Sequence, residues 1–276
     1  VSAAGVESPG GETELPGSEI ELPGGGRALF TDRSHGNMSS VGGKGAEGGV
    51  AARERLRERC GAAVLLRGYQ IHGTTVGRVY ADGARRWPID GPDDRQSVPG
   101  GEHDLPDARR WRDGREQPAF VADGHAVAAG GVAAMVLAAD CLPVVLGARG
   151  AVAALHAGWR GLAAGVLEEG MRALREVGGS GDVVAVLGPC AGACCYEVGE
   201  EVHAAFGGTR RRGALIDLRA IASDRLLAAG AAEVREVSSC TICDERYFSH
   251  RREGKRAGRQ AAVAWLPASS PIRDES

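Results

Sequence analysis

The chain lacks any run near the roughly 20 consecutive apolar residues that cross a bilayer as a helix. Aromatic residues are also scarce, at 4% of the sequence. A core must then be built from Val, Leu and Ala, and each tryptophan stands out. There is no excess of positive charge: a net charge of -3 argues against a nucleic-acid binder, because phosphate contacts need a basic surface. The opening Val-Ser-Ala-Ala-Gly lacks the basic and apolar regions of a secretory signal. The cysteines, an odd seven at irregular spacing, lack the even count of a disulfide framework. These absences lead us to expect a cytoplasmic protein with reduced thiols and neither membrane nor nucleic acid as partner.

The 276 residues, 43% of them hydrophobic, are enough for one substantial core. Residues 1–17 are rich in Gly, Pro, Glu and Ser without an apolar period, and read as a disordered acidic tail. Residues 18–267 read as one catalytic domain, with 81–120 as a surface insertion and 268–276 as a C-terminal tail. Alternation on both sides of a Gly run predicts a hairpin over 18–31. A helix is expected over 50–59, with Val50, Leu56 and Cys60 near one face. Further strands are expected at 62–66, 132–139, 142–146, 151–155, 183–187, 233–238 and 261–266, and helices at 162–177, 198–206 and 217–229. This irregular mixture favours an α+β single domain with mixed β-sheets flanked by helices over an alternating barrel.

Chemistry concentrates where these strands end. Cys141 follows the strand over 132–139, His156 ends the strand over 151–155, and His72 follows the strand over 62–66. If the strands bearing Cys141 and His156 lie near one another in one sheet, the side chains emerge at neighbouring edges. One Cys and two His form a three-ligand zinc set, which leaves a fourth position for water or substrate. Spacing alone leaves a second reading open, a buried thiol beside two hydrogen-bonded histidines. In His156-Ala-Gly-Trp-Arg-Gly161, glycines flank Trp159 and Arg160 just before a helix, and Arg160 offers a bidentate cation for phosphate or carboxylate. Trp159 could stack on a base or fill the core. The loop Gly42-Gly-Lys-Gly lacks phosphate-loop spacing. Cys240-Thr-Ile-Cys243 has the spacing of half a zinc site, and Cys194-Cys195 could supply partners. With no second C-x-x-C pair, structural thiols are the favoured reading there.

Several stretches together resemble the YfiH-type, laccase-domain family. They are Gln70-Ile-His-Gly73, Ala139-Asp-Cys-Leu-Pro143, His156-Ala-Gly-Trp-Arg-Gly161, Gly188-Pro189, Cys194-Cys-Tyr-Glu-Val198 and Phe248-Ser-His-Arg-Arg-Glu-Gly254, in the family's order. Phe30-Thr-Asp-Arg33 with Gly36 and Ser39 resembles its N-terminal stretch imperfectly. The resemblance implies zinc held by His72, Cys141 and His156, which would also be the catalytic residues. It further implies purine nucleoside chemistry: phosphorolysis of adenosine, inosine or guanosine, cleavage of methylthioadenosine, and adenosine deamination. Purine nucleosides and phosphate are then the partners, with Arg160, Arg33 and Arg252 expected to hold the anion and Asp140 to orient a ligand imidazole. The family's older name, multicopper polyphenol oxidase or laccase, fits poorly, because several coppers need many His ligands and only seven histidines are present, scattered. The chain departs from the family pattern at Asp32, at His35-Gly36-Asn37 and at His250, which stands where Tyr is common. Two alternatives use the same residues. In one, Cys141 is the nucleophile of a cysteine hydrolase editing peptidoglycan precursors. In the other, the chain is a non-enzymatic binding scaffold.

Overall fold

The computed structural model describes residues 17–39, 48–83, 85–86 and 121–267. The expected acidic tail up to residue 16, the part of the insertion over 87–120 and the tail over 268–276 lie outside the described residues.

With strands numbered along the chain, one five-stranded sheet runs in the order β1 (Glu19–Glu21), β2 (Arg27–Phe30), β14 (Gln260–Trp265), β7 (Val132–Ala138), β3 (Val64–Arg67). A seven-stranded sheet runs in the order β13 (Glu233–Glu236), β10 (Ser180–Leu187), β8 (Leu142–Arg149), β9 (Ala151–Ala157), β6 (Gly124–Val127), β4 (Val76–Val79), β5 (Arg85–Arg86). Both sheets are mixed: β3 is parallel to β7 and β4 to β6, while β14–β7 and β8–β9 are antiparallel. A small ribbon pairs β11 (Arg211–Arg212) with β12 (Leu215–Ile216). The expected hairpin is β1–β2, closed by a 3-10 turn over Pro23–Gly25.

Side chains alternate between the two faces of each strand, and that alternation sorts the core into layers. Val184 and Val186 of β10, Val145 of β8 and Val152 and Ala154 of β9 meet Ala134 and Val136 of β7 and Ala262 and Ala264 of β14 between the sheets. The opposite residues of the seven-stranded sheet, such as Val144, Leu146, Leu155 and Ala185, pack under α2 (Trp159–Ala164), α3 (Val166–Glu176) and α5 (Leu218–Ala228). The outer face of the five-stranded sheet, through Met135, Val263 and Trp265, is covered by α1 (Gly49–Arg59). The result is an α/β/β/α sandwich, consistent with the α+β expectation. Alanine and valine at the inter-sheet positions substitute for the missing aromatics. The short α4 (Glu200–Ala205) and α6 (His250–Glu253) complete the helices among the described residues.

Three local expectations need correction. The helix over 162–177 is two helices, because Gly165 adopts φ 103°, a left-handed conformation that ends α2 and starts α3 at a new angle. Val50 lies on the solvent side of α1, 54% exposed. The helical repeat instead aligns Ala52, Leu56 and Cys60 inward, with buried Arg53 donating to the Met38 carbonyl at 2.7 Å. Finally, β7 and β9 do not share a sheet. After β7 the chain crosses from one sheet to the other through Asp140, whose φ is 86°, and enters β8 at Leu142.

Candidate metal centre and adjoining cavity

That crossing places Cys141. Leu142 pairs with Ala157 and Pro143 with His156 in the β8–β9 ladder, so the residue just before β8 lies beside the end of β9. His156 has the parity of Val152 and Ala154 and turns toward the space between the sheets. His72 arrives from the loop between β3 and β4, where its φ of 63° turns the backbone sharply. The result brings the three residues together: one ligand atom from each of His72, Cys141 and His156 lies within 4.8 Å of the others. The Cys141 Sγ to His72 Nε2 distance is 3.6 Å. Zinc–sulfur and zinc–nitrogen bonds at a tetrahedral angle span about 3.6 Å. The donor set and its spacing therefore fit one tetrahedral ion.

Asp123, just before β6 and fully buried, organises this group. Its Oδ1 accepts from His156 Nδ1 at 2.9 Å and from the His72 backbone N–H at 2.9 Å. Its Oδ2 accepts from the backbone N–H of Gly73 at 2.7 Å and of Ile71 at 3.2 Å. A carboxylate can only accept, so Nδ1 of His156 carries the proton and Nε2 is left to face the sulfur. Asp123 thereby holds one ligand by its ring and another by its backbone. Nothing in the motifs singled it out. The available signal was an acid in Ala122-Asp123-Gly124, at the mouth of a strand that is otherwise buried.

The electrostatics follow from the packing. Burial opposes a charged Cys141, but the imidazoles of His156 and His72 outweigh it and bring the thiol down to about 6. Burial likewise opposes a charged His156, yet the Cys141 sulfur and the Asp123 carboxylate push it up to about 9. Gly158, at the entry to α2, keeps the space clear: a Cβ there would lie 2.6 Å from His72 Cδ2 and 3.2 Å from Cys141 Sγ.

A cavity of about 640 Å³ adjoins the three residues. Its other lining side chains include Arg67, Tyr69, Gln70, His250 and Arg259. Gln70 spans the edge of β7, donating to the Leu137 carbonyl at 2.7 Å and accepting from its N–H at 2.8 Å. His250 opens α6 on the cavity wall, where the family pattern has Tyr.

The three arginines expected to hold an anion sit elsewhere, and none borders this cavity. Arg160 is exposed and lies 4.2 Å over the Trp159 ring, and Trp159 itself packs on the core beneath α2. Arg33 is paired with Glu253, donates to the Tyr247 carbonyl and stacks on Phe248 at 4.4 Å. Arg252 spends its guanidinium on Glu253 and on the carbonyls of Thr241, Ile242 and Tyr247. Asp140 does not orient an imidazole as expected. Its carboxylate turns away to accept from Thr241 Oγ1 at 2.6 Å and the Arg251 N–H at 2.7 Å. His35, near the N-terminal motif, pairs with Asp32 at 2.8 Å.

Residues 33–267 match the family described as multi-copper polyphenol oxidoreductase laccase. The chain belongs to this family. Among the relatives of this laccase-family chain is a purine nucleoside phosphorylase of Xylella fastidiosa strain Temecula1. It is 42% identical over 161 residues, covering 52% of this chain and 61% of its own length. The purine nucleoside phosphorylase YfiH of Escherichia coli K12 is 38% identical over 149 residues, covering 49% and 60%. The match thus spans about three fifths of these relatives' own length. Among solved structures, protein NMB0706 of Neisseria meningitidis superposes with a TM-score of 0.67 at 28% identity, over 91% of this chain and 99% of that one. YlmD of Geobacillus stearothermophilus superposes with a TM-score of 0.64 at 23% identity, over 93% and 98%. The resemblance in the motifs is borne out, and so is the mixed-sheet α+β fold.

Proposed function

We propose that this chain is a zinc-dependent purine nucleoside phosphorylase, acting on adenosine, inosine or guanosine and on methylthioadenosine, with adenosine deamination at the same centre. The observation that carries this reading is the convergence of His72, Cys141 and His156 beside the cavity, with Asp123 behind them. The names of the Xylella and Escherichia relatives point the same way. Copper oxidase chemistry is poorly supported, since the two groups of metal-ligating side chains among the described residues hold two histidines between them.

When bound, zinc supplies Lewis acidity and lowers the pKa of water toward neutrality. The residues of the chain do the rest. Tyr69 and the walls around Leu137 and Ala139 offer an apolar face for a purine. Arg67 and Arg259 line the same cavity and would hold phosphate, Arg259 through the N–H groups it does not give to the Ala257 and Gly258 carbonyls. In phosphorolysis a phosphate oxygen bonds to the ribose C1′ as the C1′–N bond breaks, and the purine leaves with the electron pair and takes a proton. Arg160, of the expected three, has no ion pair among the described residues and keeps a role in receiving the approaching anion.

The test is zinc quantification on the purified chain, followed by chromatography of adenosine with and without phosphate. Adenine and ribose 1-phosphate should form only with phosphate, and inosine without it. Zinc-loaded, folded protein that turns over no nucleoside would sink the reading and leave a binding scaffold.

One observation favours a second reading, a cysteine hydrolase acting on an amide of the peptidoglycan-precursor type. The 3.6 Å approach of Cys141 Sγ to His72 Nε2 is also that of a nucleophile and its base. Metal-free protein with hydrolase activity abolished by alkylation of Cys141 would select it.

A further inference from the structure

A second group of sulfur ligands lies outside the centre described above. Cys194 and Cys195 come from the turn after β10, and Cys240 and Cys243 from the loop after β13. Their four sulfurs all lie within 4.8 Å of one another. We propose that these four cysteines form a tetrathiolate site for a single soft divalent cation of the zinc type, distinct from the His72–Cys141–His156 centre.

The sequence alone favoured inert thiols, because only one C-x-x-C pair exists. The fold supplies the second pair from a Cys-Cys dipeptide. Cys190 and Cys240 form a parallel bridge, fixed by the Thr241 N–H donating to the Cys190 carbonyl at 2.9 Å. This pins the two loops side by side. The chain then turns at Gly192, whose carbonyl accepts from the N–H groups of Cys195 and Tyr196, and the turn brings both cysteines back over Cys240. A Cβ at Gly192 would lie 3.0 Å from Cys240 Cβ and 3.3 Å from its sulfur, so a bare backbone suits this approach.

The spacing suits one ion. Four sulfurs around zinc at tetrahedral geometry are about 3.8 Å apart. Here Cys194 and Cys243 are 3.5 Å apart and Cys195 and Cys243 2.9 Å. A multi-iron cluster needs more room than sulfurs this close together leave. Two disulfides would use all four sulfurs but need them in exclusive pairs at about 2.05 Å, whereas the Cys243 sulfur is shared between Cys194 and Cys195. The Gly192 N–H also donates to Cys240 Sγ at 3.2 Å, an arrangement that favours a metal-bound thiolate over a neutral thiol. Tetrahedral sulfur coordination with no vacant position is that of a structural ion.

The ion would staple a segment that reaches the other centre. Thr241, between the two loop cysteines, donates to Asp140, which precedes Cys141. Arg252 braces the carbonyls of Thr241 and Ile242.

The test is metal content of the full chain, purified under argon without chelator, by elemental analysis. The wild type should carry about two zinc ions, Cys141→Ala about one, and Cys240→Ser/Cys243→Ser about one, still held at the other centre. Equal zinc in the wild type and the double variant overturns the proposal, as does a mapped Cys195–Cys243 disulfide in the argon-purified wild type. If the double variant fails to fold, cobalt titration of Cys141→Ala decides. A strong thiolate-to-cobalt charge-transfer band with tetrahedral ligand-field bands is expected there, and its absence overturns the assignment. Because that variant lacks the first centre, its spectrum does not depend on the nucleoside reading.

Discussion

Asp123 and His156 are joined at 2.9 Å through an oxygen that also receives the His72 backbone N–H, so a single carboxylate sets two of the three proposed ligands. In Asp123→Asn, an amide NH₂ must face N–H donors wherever it turns, since both carboxylate oxygens are already acceptors. Partners behind a ligand histidine are worth about 10- to 100-fold in metal affinity. A loss of that size is expected for Asp123→Asn in a chelator competition titration, with Cys141 and both histidines unchanged.

Gly158→Ala tests the steric side of the same centre. The backbone there, φ -62°, accommodates alanine. The added methyl instead meets the His72 ring at 2.6 Å. The variant should fold with a melting temperature near that of the wild type while losing most of the metal at this centre. Full metal content would mean that the ring can move aside.

Thiol reactivity offers a contrast within one molecule. In metal-free protein the Cys141 thiolate should appear as pH rises through about 6, well below the ordinary thiol value of 9. Burial and the nearby Glu19 push Cys60 up to about 12, so it should resist throughout. The sign is that of a depressed acid: the thiolate persists above the lowered value and is lost as pH falls through it. Iodoacetamide labelling between pH 5 and 9, read by peptide mass spectrometry, should give that midpoint at Cys141, and restored zinc should suppress the labelling.

How much of this was legible in the residues differs by level. Strands with continuous apolar runs, such as β7 and β9, announced themselves, because a strand buried on both faces has no polar alternation to obscure. The convergence of His72, Cys141 and His156 was legible through their motifs. Asp123 was not, since one acid beside a glycine resembles many turns and becomes meaningful only when three consecutive N–H groups from 50 residues away converge on it. The arginines show the same limit. Sequence pointed to Arg33 and Arg252 because they flank motifs, but both are paired with Glu253 away from the cavity, while Arg67 and Arg259 line it from positions without a motif, Arg259 also bracing the Ala257 and Gly258 carbonyls.

Arg67→Gln is therefore expected to raise the phosphate KM by about 10- to 100-fold, as for loss of one charge-assisted bond of about 1.5–3 kcal/mol. Zinc content should stay constant. An unchanged phosphate dependence in steady-state assays would remove Arg67 from that role.

Away from the centre, Arg78 on β4 is buried and joins Glu169 at 2.7 Å and Glu176 at 2.8 Å on α3. Arg78→Ala leaves Glu169 and Glu176 with only the exposed Arg172 as cationic partner. Breaking a fully buried pair costs about 3–5 kcal/mol, and since both glutamates are partly exposed the expected loss in urea denaturation is about 3 kcal/mol or less. Burial opposes the Glu176 charge, but Arg78 and Arg172 hold its carboxyl below the ordinary 4.5. Its stabilisation is thus complete above that value and fades on acidification. The wild type should lose more stability than the variant as pH falls from 5 toward 3.

The left-handed Asp140 hands the polypeptide from one layer of the sandwich to the other immediately before the ligand sulfur. Cys141 and His156 nevertheless stand at the end of one β8–β9 ladder, and Asp123, entering the neighbouring β6, clasps the His72 backbone. The three side chains thus ride together on one sheet, while β7 of the other sheet forms the opposite wall of the cavity. Thinning or fattening the seam between the sheets, at Val145 or Ala262, should therefore shift the cavity wall at Leu137 and Ala138 before it spreads the three side chains.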